Sequence, residues 1–163
     1  MVDGAPAIFV ALEESGFASA IRRSTWLYPA ANVAHIVSLV CLAGAVTVMD
    51  LRLLGALSAS DPALLLRRAR ACAIAALAAM ALTGLMLFSA EASHLATNRV
   101  FQLKLVLIVA ALGNVALYEL LARREVEALR VGALMPARVR IAGLLSLALW
   151  IAVAACGRSI AYF

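Results

Sequence analysis

The stretch that decides the fold is 24-STWLYPAANVAHIVSLVCLAGAVTVM-49, twenty-six residues without a formal charge when His35 is neutral. As an α-helix it would be about 39 Å long at 1.5 Å per residue. The hydrocarbon of a bilayer is about 30 Å thick. A lone segment satisfies its backbone there only as a helix. Working outward, three more runs have this character: Ala71 to Ala90, Val100 to Tyr118 interrupted only by Lys104, and Ile141 to Gly157 continuing through Arg158 to Phe163. Spans are therefore expected at about 26–49, 71–90, 100–121 and 141–162. The composition agrees. Of 163 residues, 66% are apolar and 14% charged, and the mean hydropathy is +1.02, against about 45–50% and roughly 25% in a soluble domain. Disorder and an all-β plan are excluded, since charge is low and Ala and Leu dominate without alternation. The expectation is all-α: a single four-helix transmembrane bundle, residues 26–163, preceded by a short interfacial amphipathic helix within 1–25.

That first segment does not read as a signal peptide, because it lacks a basic start and Glu13 and Glu14 interrupt its apolar residues. Phe9, Leu12, Gly16 and Ala20 recur at helical spacing beside charged residues, which suits a helix lying in the interface. Trp26 and Tyr28 then mark the headgroup level. The net charge of +5 sits in short runs beside apolar stretches, a pattern of membrane orientation, and nucleic acid is not an expected partner. The connections after spans one and three hold nine basic residues (Arg52, Arg67, Arg68, Arg70, Arg123, Arg124, Arg130, Arg138, Arg140), the other side five (Arg22, Arg23, Arg99, Lys104, Arg158). The excess predicts a multi-pass bacterial inner-membrane protein with both termini periplasmic. Cys41, Cys72 and Cys156 fall in apolar runs, where small core residues are expected and a disulfide framework is not. Ala71, Ala75, Ala79 and Thr83 form a four-residue-step row suited to close helix packing.

The informative residues are those that hydrocarbon disfavours, because a central charge costs about 2.5–3.5 kcal/mol on insertion scales. His35 lies nine residues beyond Trp26, about 13 Å deep, with Asn32 and Ser38 three residues to either side. Span two returns to the same side and ends at Glu91, with His94 and Asn98 in the link. Lys104 and Arg158 are shallow on that side. Each residue has an ordinary structural use: an imidazole bonding between helices, a solvated link histidine, cations reaching the headgroups. Together they suggest a haem b site for electron transfer or tetrapyrrole redox chemistry. His35 would be an iron ligand, His94 a possible second, and Lys104 and Arg158 partners for the propionates, with Asn32 bordering the site. His94 stands roughly 10 Å or more above His35 by helical rise, so ligation by His35 alone is an equal alternative. A redox partner in the membrane or periplasm would follow.

Copper is the competing metal, given Cys41, Cys72, Cys156, Met80 and Met86, within a copper or small-solute transport module. Met80 and Met86 do not share a helical face, and packing explains them. A non-catalytic subunit docking a partner protein is the third class. Phosphate loops, His-Glu-x-x-His and Gly-x-Ser-x-Gly are absent from the sequence. Asn114 and Tyr118, four residues apart, suit hydrogen bonding within the bundle near its other end.

Trp26-Leu27-Tyr28-Pro29, His35 and Asp50-Leu51-Arg52-Leu53-Leu54-Gly55 resemble an uncharacterised family of small bacterial four-helix inner-membrane proteins. The run Asn98, Phe101, Lys104, Leu105 and Asn114 is similar to that family's third span. The likeness covers roughly residues 9 to 120, and Asp-Leu-Arg-Leu-Leu-Gly is its most specific element. Many members carry an acidic residue three before the histidine; here Asn32 stands there, so the resemblance implies no proton-relay pair. More distantly, a first-span histidine and third-span lysine are similar to HemJ-type protoporphyrinogen oxidases and to the membrane domain of copper-resistance D proteins. That likeness implies a haem- or metal-related role for His35 and Lys104, with Lys104 orienting substrate carboxylates in the HemJ-like version.

Overall fold

The computed structural model describes residues 5–162; the first four positions of the expected interfacial segment, and Phe163, lie outside them. The described residues form α1 (Ala7–Glu13), α2 (Gly16–Arg23), α3 (Leu27–Leu53), α4 (Pro62–Ala90), α5 (Ala92–Thr97), α6 (Arg99–Leu121), α7 (Arg123–Glu127) and α8 (Ala137–Ser159), with a 3₁₀ turn at Ile160–Tyr162 and no strand. Four of these, α3, α4, α6 and α8, are long and apolar enough to cross a membrane. Their 27, 29, 23 and 23 residues correspond to about 34–44 Å. The protein is an all-α integral membrane bundle. Its outer belt is apolar, with Val33, Val40, Ile74, Val109 and Ile151 all exposed.

The helices outrun the charge-free stretches because their starts are capped by polar residues. The Asp61 carboxylate accepts from the Leu64 amide at 3.1 Å and Pro62 occupies the first turn, so α4 begins nine residues before Ala71. Asn98 accepts from the Val100 and Phe101 amides at 2.9 and 3.0 Å. The Asp-Leu-Arg-Leu-Leu-Gly element is the end of α3. There the Ala56 amide reaches the Leu51 carbonyl at 3.0 Å and the Gly55 amide reaches Arg52 at 3.1 Å. Gly55, with φ +98°, supplies the left-handed residue such a helix ending requires.

Antiparallel packing makes two hairpins: α3 lies along α4, and α6 lies along α8. They join through α3 and α8, where Gly143 permits the closest approach. A Cβ there would stand 3.2 Å from the Asp50 carbonyl oxygen and from Leu53 Cβ. α4 and α6, although consecutive long helices, make almost no contact along their lengths. They meet only at their ends. At the end carrying the termini, the rings of Phe88 and Phe101 stack at 5.5 Å and Phe9 meets Phe88 edge-on at 5.8 Å. At the loop end, Arg70 Nε and Glu119 Oε1 pair at 2.6 Å.

The best-packed apolar cluster also lies at the loop end: Leu53, Leu66, Tyr118, Ala122, Val126, Met135 and Val139. Arg70 and Arg123 bind Glu119 and Glu127 there in a four-membered ion network. At the opposite end α1 and α2 make a helical hairpin in place of one helix, since Ser15 caps a fresh start by accepting from the Ala18 amide. It is tied down by Arg22, which donates to the Ala90 carbonyl at 3.0 Å, and by Glu13, which accepts from the Ser93 amide at 2.8 Å and from the Ser93 hydroxyl. Those Ser93 bonds hold the Glu13 carboxyl below its ordinary range.

Two packing expectations change. Cys41 and Cys72 are exposed and Cys156 is half-buried, all as free thiols, so two of the three face away from the core. In α4, Ala71 and Ala75 are exposed, while Ala76 is buried and Ala79 and Thr83 are half-buried. The inward row is rotated from the one the four-residue steps suggest.

Candidate functional sites at the two ends of the bundle

Toward the end carrying the termini, α3 turns His35 onto α4. His35 Nδ1 lies 2.9 Å from Thr83 Oγ1, and Thr83 Oγ1 donates its single proton to the Ala79 carbonyl at 2.7 Å. The hydroxyl therefore accepts from the ring, which assigns the neutral imidazole its proton at Nδ1 and leaves the Nε2 lone pair free. Gly84 makes the ring's place: a Cβ there would stand 3.2 Å from His35 Cε1. Lys104, half-buried on α6, extends toward α8, where a Cβ on Gly157 would lie 3.6 Å from its Nζ. Among the described residues no carboxylate pairs with Lys104.

The other residues expected around His35 are placed differently. Asn32 is exposed on α3. His94 is exposed on α5, where its carbonyl accepts from the Thr97 hydroxyl at 3.0 Å. Arg158 is exposed and turned onto the 3₁₀ turn that follows its helix, donating to Tyr162 Oη at 2.6 Å with its guanidinium 4.9 Å above that ring. His35 and Lys104 are thus directed inward, and Asn32, His94 and Arg158 outward. Among the described residues no group of three or more His, Cys, Asp or Glu is gathered in metal-binding geometry. Glu91 accepts from the Tyr28 hydroxyl at 3.2 Å.

The second polar site lies toward the loop end. A cavity of about 100 Å³ separates α4 from α6, floored by α3 and α8. Its apolar wall includes Leu42, Val46, Leu77 and Val115, and its polar groups are Asp50, Asn114, Tyr118, Ser146 and Trp150, with the Arg70–Glu119 pair beside them. Asn114 donates to the Ala142 carbonyl at 3.0 Å, which holds α6 to α8. Ser146 lies beside the Asp50 carboxyl. Asp50 is 3% exposed and Tyr118 6%, yet Asp50 Oδ2, Tyr118 Oη and Trp150 Nε1 have no hydrogen-bond partner among the described residues. Buried polar atoms are rarely left so. Sequence reasoning singled out Asn114 and Tyr118 as a bonding pair but did not join them to Asp50, Ser146 and Trp150. The available signal was Asp50 itself, a carboxyl carried inside a spanning helix.

A family model described as a family of unknown function (DUF6644) matches residues 14–163. No curated protein and no solved structure matches the chain.

Proposed function

We propose that this integral membrane protein, which belongs to that family, binds haem b for electron transfer or tetrapyrrole redox chemistry, with His35 as the residue that would hold the iron. The observation that carries the reading is the His35–Thr83–Ala79 chain. An imidazole that donates from Nδ1 to a fixed acceptor presents Nε2 as a metal ligand, the usual arrangement around ligating histidines. Lys104 adds a cation with no carboxylate partner among the described residues, in a medium that penalises one, and a propionate carboxylate would offset that cost. When bound, haem supplies a one-electron centre. The chain's own residues orient the ligand, fix its tautomer and neutralise charge. Asn32, His94 and Arg158 take no part in this version, so His35 would be the one protein ligand to the iron.

The nine arginines gathered toward the loop end, most of them on the adjoining helix ends, against five basic residues toward the other end, support a cytoplasmic loop end. Both termini, and the His35 level with them, then face the periplasm of a bacterial inner membrane, where a redox partner would dock. The test is a reduced-minus-oxidised spectrum of protein purified from haem-supplied cells. A b-type α band that is lost in His35→Ala and weakened in Lys104→Met is expected. A colourless protein under those conditions, or a band unchanged in His35→Ala, would overturn the reading.

A further inference from the structure

A second opening lies on the outer side of the first hairpin, toward the loop end. There α3 and α4 leave a groove of about 490 Å³ between them, within the range of about 300–1,000 Å³ usual for small-ligand sites. Its long wall is apolar, with Gly44 and Val48 from α3 and Leu65 and Ala69 from α4, and its polar residues are Ser60, Asp61 and Arg68. The groove is accessible: Gly44, Val48, Asp61 and Arg68 are all exposed. Gly44 provides the room, since a Cβ there would meet nothing within 4 Å.

The polar rim carries one charge of each sign. Asp61 caps α4, and Arg68 follows about two turns later on the same side of the helix. Neither has an ionic partner among the described residues. Asp61 Oδ1 accepts from the Leu64 amide, and the second carboxylate oxygen is left for another donor. With 29 residues, α4 is about 44 Å long, longer than the hydrocarbon of about 30 Å. Arg68, about 9 Å from the start of the helix, therefore lies where acyl chains give way to headgroups, and Asp61 lies farther out. Going outward from the hydrocarbon, the groove presents an apolar trough, then a cation, then an anion.

We infer that this groove binds a phospholipid of the ethanolamine type, with an acyl chain along the trough, the phosphate accepting from Arg68 and the ammonium donating to Asp61. The order of its parts, chain, phosphate and ammonium, is the complement of the order in the groove. An anionic headgroup that lacks an amine would satisfy Arg68 and set a like charge beside Asp61. A choline headgroup carries the positive charge but has no N–H to donate. The inference does not depend on His35 or on haem.

The test titrates the purified full chain in detergent with ethanolamine, choline and glycerol phospholipids of identical acyl chains, and counts bound lipid by native mass spectrometry. One ethanolamine lipid should bind at a concentration several-fold below that needed for either of the others. Asp61→Asn keeps a cap as good as the original and should bring the ethanolamine lipid to the choline level. Arg68→Gln should weaken both of those lipids several-fold, whereas Arg67→Gln, on a residue that does not line the groove, should change neither. Gly44→Phe fills the trough and should weaken all three. Glycerol lipid bound as tightly as ethanolamine lipid would overturn the inference in favour of a merely basic surface. So would a preference that survives Asp61→Asn, equal effects of the two arginine variants, or binding unaltered by Gly44→Phe. The comparison of the three lipids on the native chain requires no variant to fold.

Discussion

The two ends of the bundle are built differently. At the end with the termini, His35 hangs on one hydroxyl chain, Lys104 has no carboxylate partner among the described residues, and the covering hairpin of α1 and α2 is fastened by a few side-chain bonds. At the loop end, seven apolar residues pack around a four-membered ion network. Stability and polar chemistry are therefore unevenly shared. The loop end carries most of the cohesion and holds most of the described buried polar atoms that lack a hydrogen-bond partner. The other end holds a ligand-ready imidazole in lighter surroundings. Elements that bind and exchange ligands are commonly drawn from the less cohesive part of a fold.

This contrast can be broken by substitution. The largest effect on cohesion is expected from Gly143→Val, which drives a branched side chain into the Asp50 carbonyl and Leu53. Overpacking of this kind costs about 1–3 kcal/mol, and thermal unfolding followed by circular dichroism should show it. His35→Ala is expected to abolish the haem spectrum while costing only about 1 kcal/mol, the net worth of one hydrogen bond. Equal losses of stability from His35→Ala and Gly143→Val would erase the distinction between the ends.

Within the loop end, Arg70→Ala should destabilise more than Arg123→Ala. The Arg70 side chain is 14% exposed against 43% for Arg123, and solvent screens exposed pairs. Arg70 also bridges α4 to both α6 and α7, whereas both Arg123 pairs span a single turn. Gly55→Ala should cost about 1 kcal/mol, because a side chain is placed at φ +98°.

The smallest effect belongs to the covering hairpin. The Glu13 carboxyl is held below its ordinary range by Ser93. Its contribution is complete above the ordinary glutamate range, and it fades as the pH falls through that range and then through the lowered folded value. Hydrogen exchange across residues 7–23 should quicken at low pH in the native chain. In Ser93→Ala it should already be faster at neutral pH, with a weaker pH dependence.

The four spans were legible because each is a long run that water would not tolerate exposed. Their limits were less so, since charge-free runs stop at the first ion and helices do not. Asp50 and Arg52 lie inside α3, Arg67, Arg68 and Arg70 inside α4, and Arg138 and Arg140 inside α8. The second N-terminal helix was hidden in the same way, because Ser15 reads as one polar residue among several until it is seen to cap α2.

Depth along each helix followed from residue counts, and this put His35 and Lys104 on one level. Rotation about the axis did not follow. Nearly every residue of a lipid-facing helix is apolar, so no hydrophobic stripe marks the inward face. For that reason Asn32, one turn from His35, was expected beside it and is exposed, and Ala71 and Ala75 were expected inward and are not. The same blindness concealed the loop-end cavity. Asp50, Tyr118, Ser146 and Trp150 come from three helices and meet only because α6 packs on α8 and not on α4.

That pairing has a consequence for how the chain is made. Each hairpin finds its principal partner in the very next span to emerge from the ribosome: α4 comes home to α3, and α8 to α6. The first pair can be laid into the membrane complete before residue 99 emerges from the ribosome, and the second can follow as a unit. The final event is then a docking of two preformed halves along α3 and α8. The gap between α4 and α6 is simply the side that this docking never closes.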